Sequence, residues 1–223
     1  MLYIISTPIG NLEDITLRAL RILKEADVIL CEDTRHSGLL LRHFEIPHKP
    51  LISYYDEVET QKMDDLMALL KSDQKVALIS DAGTPLISDP GYKLVREALS
   101  QGVAVETIPG PSSVIAALTV SGMPPDKFVY LGYPPEKEGH LLQMAEKVGK
   151  FWEVWPSTVI FLVSPYKLIK NLTAFQSVLG DRPIALAREL TKIHEEVWRG
   201  TISEAIAHFK SPRGEFVLLM SPA

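Results

Sequence analysis

Through residues 1–119, short β-rich apolar runs alternate with helix-length segments, and three of the runs open directly into turns of glycine, proline and small polar residues. Leu2–Ser6 leads into Thr7-Pro8-Ile9-Gly10-Asn11, Lys75–Ser80 into Asp81–Gly91, and Val103–Ile108 into Pro109–Ser113. Asp27–Cys31 is a further strand. The spacing predicts a helix capped by Asp14 that buries Leu17, Leu20 and Leu23 or Ile22, and a second over Thr34–Phe44 with Leu39, Leu40, Leu41 and Phe44 inward. Others are expected over Val58–Leu70, with Met63, Leu66, Met67 and Leu70 on one face, over Tyr92–Ser100, and over Ser112–Thr119. This alternation predicts an α/β layer with a mostly parallel sheet, in which ligands bind outside the carboxyl ends of the strands. The three turns are therefore expected to gather at one edge.

The second half reads differently. Phe128–Leu131, Thr158–Val163, Ile184–Ala187, Glu195–Arg199 and Phe216–Met220 are strand-like, and helices are expected at Gly139–Val148, Pro165–Leu179 and Ile202–Phe209. The last strands follow one another closely, which predicts mixed or antiparallel pairing. Ser121–Asp126 reads as a hinge, giving two α/β domains, 1–120 and 121–223.

Composition excludes several classes. A chain of 223 residues that is 46% hydrophobic and 23% charged is globular rather than disordered. Its 23 Lys and Arg against 28 Asp and Glu argue against a general nucleic-acid coat, while leaving room for a locally basic RNA site. Residues 1–113 carry 11 basic and 17 acidic side chains, and residues 114–223 carry 12 and 11. The second half is thus the better platform for an anionic polymer, although a chance split explains the numbers nearly as well. The single cysteine, Cys31, allows no internal disulfide and no multi-thiolate zinc cage, and its apolar run points to a buried thiol. The histidines are too scattered to spell a metal site, so no metal is expected. No P-loop, G-x-G-x-x-G, H-E-x-x-H or G-x-S-x-G motif is present. Met1–Ser6 lacks the pattern of a signal peptide, and the longest uncharged stretch, Thr107–Pro125, is broken by four prolines and two glycines. A soluble cytoplasmic protein is the expectation.

Four blocks carry chemistry. Ser80–Gly91 has two glycines and two prolines in twelve residues, small side chains that let a ligand approach the main chain, and Asp81 placed to accept hydrogen bonds from a ribose or an ammonium. A tight surface loop explains the same spacing equally well. In Pro109-Gly110-Pro111-Ser112-Ser113 either serine can cap the next helix or leave N–H groups for a ligand, and capping is the simpler account. Glu32-Asp33-Thr34-Arg35-His36 can bind substrate or move a proton. Taken alone, the residues favour Asp33 as a helix cap and Arg35 as a partner of Glu32. Ala187–Glu196 reads by default as a solvated charged edge, with Glu196 and Arg199 as polar strand positions.

Together, Thr7–Leu12, Glu32–Arg35, Ser80–Gly91 and Ala187–Lys192 resemble the signature blocks of the RsmI family, bacterial small-subunit ribosomal RNA cytidine 2′-O-methyltransferases within the tetrapyrrole methylase superfamily. The match runs in order from Leu2 to Leu219. The resemblance implies two α/β domains with S-adenosylmethionine in the cleft between them, usually in a homodimer. It implies cofactor contacts at Pro8, Ser80, Asp81, Ala82, Ile87, Ser112, Ser113, Leu162, Ala187 and Leu218. The implied acceptor is a ribose 2′-hydroxyl of small-subunit (16S) ribosomal RNA, free or in the assembled subunit, with no DNA or membrane partner. Candidate catalytic residues are Glu32, Asp33 and Glu189 as base and Arg35 and Arg188 as phosphate ligands.

This chain departs from the family pattern where a basic run usually follows Pro134-Pro135, keeping only Lys137, and at Val163–Lys167 and Arg213-Gly214-Glu215; it stops at Ala223, before the extension many members carry. Two rival readings stay open: a methylase of another acceptor in the same superfamily, and a cofactor-binding protein without catalysis. Phe151, Trp152 and Trp155 offer either a sticky dimer surface or a cover for the second core.

Overall fold

The computed structural model describes residues 1–55 and 59–222, which fall into two compact units, Met1–Ser112 and Ser113–Ala223. In the first, β1 (Leu2–Ile5), β2 (Val28–Cys31), β3 (Leu51–Ser53), β4 (Val76–Leu78) and β5 (Val105–Ile108) form a wholly parallel sheet in the order β3-β2-β4-β1-β5. Such a sheet is covered on both faces, so its strands are nearly continuous apolar runs. Alternate residues divide between two cores. Tyr3, Ile5, Ile29, Cys31 and Ala77 pack with α1 (Leu17–Glu25) and α2 (Thr34–His43). Leu2, Val28, Leu30, Val76 and Leu78 pack with α3 (Met63–Lys71) and α4 (Tyr92–Ser100). Cys31 is fully buried, and burial pushes its thiol up.

Some local expectations need correction. Thr16, not Asp14, caps α1: its hydroxyl accepts the Ala19 N–H at 3.1 Å, while Asp14 lies in a separate 3-10 turn capped by Asn11. The inward residues of α1 are Ala19, Ile22 and Leu23, and Leu17 is 86% exposed. The helix expected over Val58–Leu70 is α3; Val58 itself lies outside the described residues. The three-residue edge strand β3 follows Pro50 and was not foreseen.

The second unit contains α5 (Ser113–Ser121), β6 (Phe128–Tyr130), α6 (Glu138–Val154), β7 (Thr158–Val163), α7 (Leu168–Leu179), β8 (Pro183–Arg188), β9 (Glu196–Thr201), α8 (Ile202–His208) and β10 (Phe216–Met220). Its sheet runs β6-β7-β10-β8-β9, with only β6 and β7 parallel. Phe161, Val163, Leu186, Phe216 and Leu218 face a core built with α6, α7 and α8. The helix α5 packs on β8 and β10, so the boundary lies ahead of this helix rather than at its end. Arg199 is more than a polar strand position. It donates from Nε to the Ser121 carbonyl at 2.9 Å and from Nη2 to that of Val120, placing a cation at the negative end of α5. Because α6 continues past Val148, Trp152 is buried and donates through Nε1 to Ser157 O at 2.9 Å, whereas Phe151 and Trp155 stay partly exposed. No helix among the described residues is long and apolar enough to cross a membrane.

Candidate functional site

All strands of the first sheet run one way, so the turns after β1, β2, β4 and β5 emerge at one edge, as the alternation requires. Hydrogen bonds tie three of them together. Thr7 and Gly83 exchange main-chain bonds, N to O at 2.9 and 3.1 Å, in an isolated antiparallel bridge. The Thr7 hydroxyl donates to Ser80 O at 3.3 Å. Thr84 Oγ1 lies 3.1 Å from Ser6 Oγ and donates to Pro111 O at 3.0 Å. Thr84, at the junction of the three turns, was missed in the sequence; its only signal is a hydroxyl inside the Ser80–Gly91 block.

Close approach explains the glycines. A Cβ on Gly110 would stand 2.9 Å from Ser6 Cβ, and one on Gly83, at φ +78°, would stand 3.2 Å from Ile9 Cγ2. Two non-glycine residues of the same loop, Leu86 and Ser88, also have left-handed backbones, with φ of 73° and 66°. The expected contact residues sit around this edge: Pro8 and Ser80 buried, Asp81 and Ser112 half-buried, Ala82 and Ile87 exposed.

The β2 turn joins through Asp81, whose Oδ1 accepts the Asp33 N–H at 3.2 Å. Asp81 Oδ2 has no partner among the described residues. Asp33 caps α2, as expected, but Arg35 pairs with Asp33 rather than with Glu32: Nε and Nη2 reach its two oxygens at 3.1 and 2.7 Å. The Arg35 side chain bonds and the Arg35 N–H hold the Asp33 carboxyl far below the usual range. The Arg35 side chain is 89% exposed. Glu32 is half-buried, and its carbonyl accepts the Ser53 hydroxyl at 3.2 Å.

In the second unit the register separates the expected residues. Leu162 and Ala187 both pair with Val217 and share one sheet face, whereas Leu218 pairs with Phe161 and Leu186 and turns its side chain into the helix-covered core. Beyond the β8 end, Glu189 has φ +49° and its Oε1 accepts the Glu215 N–H at 2.8 Å and Lys192 Nζ at 3.1 Å. The Glu215 amide, with Lys192, outweighs burial and lowers its carboxyl. Lys192 also reaches Glu215 Oε2 at 2.8 Å. Arg188 donates to Arg213 O at 2.7 Å and to Glu196 Oε2 at 3.3 Å, and Glu196 meets His208 Nε2 at 2.8 Å. These charges answer one another.

The family model for tetrapyrrole (corrin/porphyrin) methylases matches residues 1–206. The chain is 43% identical to a protein named ribosomal RNA small subunit methyltransferase I from Thermotoga maritima, over 99% of this chain and 97% of that one. It is 46% identical to the protein of the same name from Mesorhizobium japonicum, over 100% of this chain and 75% of that one. A crystal structure of uroporphyrin-III-C-methyltransferase from Thermus thermophilus shares the fold, with a TM-score of 0.65 at 20% identity over 98% of this chain and 93% of that one. The chain belongs to the tetrapyrrole methylase family and, within it, to the ribosomal RNA small subunit methyltransferase I group that its motif blocks resemble.

Proposed function

We propose that this protein transfers a methyl group from S-adenosylmethionine to the ribose 2′-hydroxyl of a cytidine in small-subunit ribosomal RNA. The observation that carries the reading is the set of turns pinned together at the carboxyl edge of the parallel sheet, faced by small side chains and one carboxylate. The names of the relatives suggest the acceptor. The donor set suits an aminoacyl nucleoside: Asp81 accepts from ribose hydroxyls or an ammonium, and Pro8 and Ile87 offer apolar contact. Pro8, Ser80, Asp81, Ala82, Ile87 and Ser112 hold the donor from the first unit.

When bound, S-adenosylmethionine supplies a methyl group already activated by its sulfonium. The chain adds position, and aligning two reactants contributes up to ~7–11 kcal/mol. Of the three candidate bases, Asp33 and Glu189 have lowered carboxyls and are poor proton acceptors near neutrality. Glu32 is the acceptor assigned here. Arg35, oriented by Asp33 and open to solvent, meets an acceptor phosphate. Arg188 is committed to Arg213 and Glu196 and braces the β8 end instead.

The protein is proposed to work in the cytoplasm as a homodimer. Exposed Leu39 on the first unit and Val154 and Trp155 on the second offer apolar surface for it. Light scattering should give a particle of about twice 24.8 kDa; a 24.8 kDa particle removes the dimer. The function is tested by incubating the purified protein and methyl-labelled S-adenosylmethionine with small subunits, or with free 16S RNA, from cells lacking the activity. Mass spectrometry of the nucleosides should show 2′-O-methylcytidine. A folded protein that leaves both substrates unmethylated overturns the reading.

A further inference from the structure

Glu59 is the one charged side chain among the described residues that is buried, at 3% exposure. A carboxylate removed from water is costly unless its lone pairs are answered. Here Oε1 accepts from the Tyr54 hydroxyl at 2.9 Å, the Gly91 N–H at 3.1 Å and the Lys93 N–H at 3.2 Å, and Oε2 pairs with Lys93 Nζ at 3.3 Å. Burial pushes the carboxyl up, but Tyr54, Lys93 and the two amides outweigh it and leave it below its ordinary value.

The donors come from three places. Tyr54 follows β3, is fully buried, and donates its N–H to Cys31 O at 2.8 Å. Gly91 is the last residue of the Ser80–Gly91 loop, and Lys93 lies in the first turn of α4. Gly91 stands at the cap position of α4 but has no side chain to cap it. It has to be glycine, since φ is +130° and a Cβ would stand 2.7 Å from Leu78 Cδ2. The missing cap is delivered by Glu59, 32 residues earlier in the chain.

We propose that Glu59 is a positioning residue that pins the rear of the Ser80–Gly91 loop and thereby sets its donor-binding conformation, an inference that rests on the donor site proposed above. The front of the loop is pinned by the Thr7–Gly83 bridge and by Thr84. Between the pins lie Leu86 and Ser88, whose left-handed backbones are costly for non-glycine residues and persist only where the surroundings enforce them. Ile87, an expected donor contact, sits between the two. Releasing the rear pin lets all three relax while the sheet stays intact.

The test compares the wild-type protein with Glu59→Ala, Glu59→Gln and Lys93→Met by amide hydrogen exchange and by calorimetry with S-adenosylmethionine. Glu59→Ala is expected to speed exchange in residues 84–93 at least tenfold, leave β1 and β4 protected, and weaken the donor at least tenfold. Glu59→Gln keeps the Oε1 acceptor and should stay within a few-fold of wild type, whereas Lys93→Met leaves the buried carboxylate without its cation and should loosen the same residues. If Glu59→Ala fails to fold, Glu59→Asp, one methylene too short to reach Gly91 and Lys93, takes its place with the same expectation. Unchanged loop exchange, or a loosened loop with undiminished donor affinity, overturns the inference. A wild-type protein that takes up no donor at all overturns the proposed function instead; loop exchange then still shows whether Glu59 is the pin.

Discussion

Two strand-end regions hold unusual backbone conformations with different shares of main-chain bonding and side-chain charge. At the carboxyl edge of the first sheet, the front of the loop, at left-handed Gly83, is fixed by main-chain and hydroxyl bonds: Thr7 with Gly83, Thr84 with Pro111, Ser80 with Thr7. At the β8 end of the second sheet, around left-handed Glu189 and Gly214, the Glu189 N–H also donates to Glu215 O at 3.0 Å, but ionised side chains add most of the ties, through Lys192, Glu189 and Arg188. A scaffold built mainly on main-chain bonds leaves carboxylate oxygens uncommitted: Asp81 gives one oxygen to the Asp33 N–H and is proposed to offer the other to the donor. A charged scaffold uses up its own ionisable groups, so acidic and basic residues gathered there are poor evidence for acid–base chemistry.

The neutral scaffold breaks most easily where glycine is required. Gly83→Val forces a branched side chain into a left-handed backbone and onto Ile9, at about 1–3 kcal/mol for the strain alone. Donor binding should be lost in calorimetry. A variant that folds and binds normally shows that the bridge does not shape the site. Asp81→Ala comes next. It removes one charge-assisted acceptor, about 1.5–3 kcal/mol or roughly 10–100-fold in donor affinity, and unpins the Asp33 N–H. Unchanged affinity removes Asp81 from the site.

The contrast also decides what could be read without coordinates. Both sheets were legible, because apolar runs followed by glycine–proline turns have few other folds; Tyr92–Ser100, Thr158–Val163 and Phe216–Met220 fall where periodicity puts them. Single-residue partners were not. Asp14 and Thr16 are both good caps, and only the intervening 3-10 turn selects Thr16. Leu218 differs from Leu162 and Ala187 by sheet face, which depends on register across three strands. Glu59 lies in the acidic stretch 56–59, where nothing in composition separates a buried cap from a solvated charge.

Arg35→Ala probes the boundary between the two designs, since Arg35 is a charge paired on the neutral edge. Its side chain is exposed and its pair with Asp33 is short-range, so the melting temperature should hardly move. Donor affinity should be kept, and single-turnover methylation should fall about tenfold, the cost of one charge-assisted contact to a phosphate. The methylation that remains should depend less steeply on salt, because one fewer phosphate is neutralised. Wild-type turnover with wild-type salt dependence shows that Arg35 serves only Asp33.

Glu189→Gln gives the smallest effect and the sharpest division. The amide keeps an oxygen for the Glu215 N–H but gives up the ion pair with Lys192. The expected loss is about 1 kcal/mol, which lowers the melting temperature by roughly 2–4 °C in a chain of this size. Because the folded carboxyl lies below its ordinary 4.5, its contribution is fully present above that pH and disappears as the pH falls through the folded value. The gap between wild type and variant should therefore be widest near neutrality and close in acid. Turnover per folded molecule should not change if, as proposed, Glu32 rather than Glu189 accepts the proton. A normal melting temperature with collapsed turnover reverses the assignment, making Glu189 the base and the charged strand end part of the chemistry.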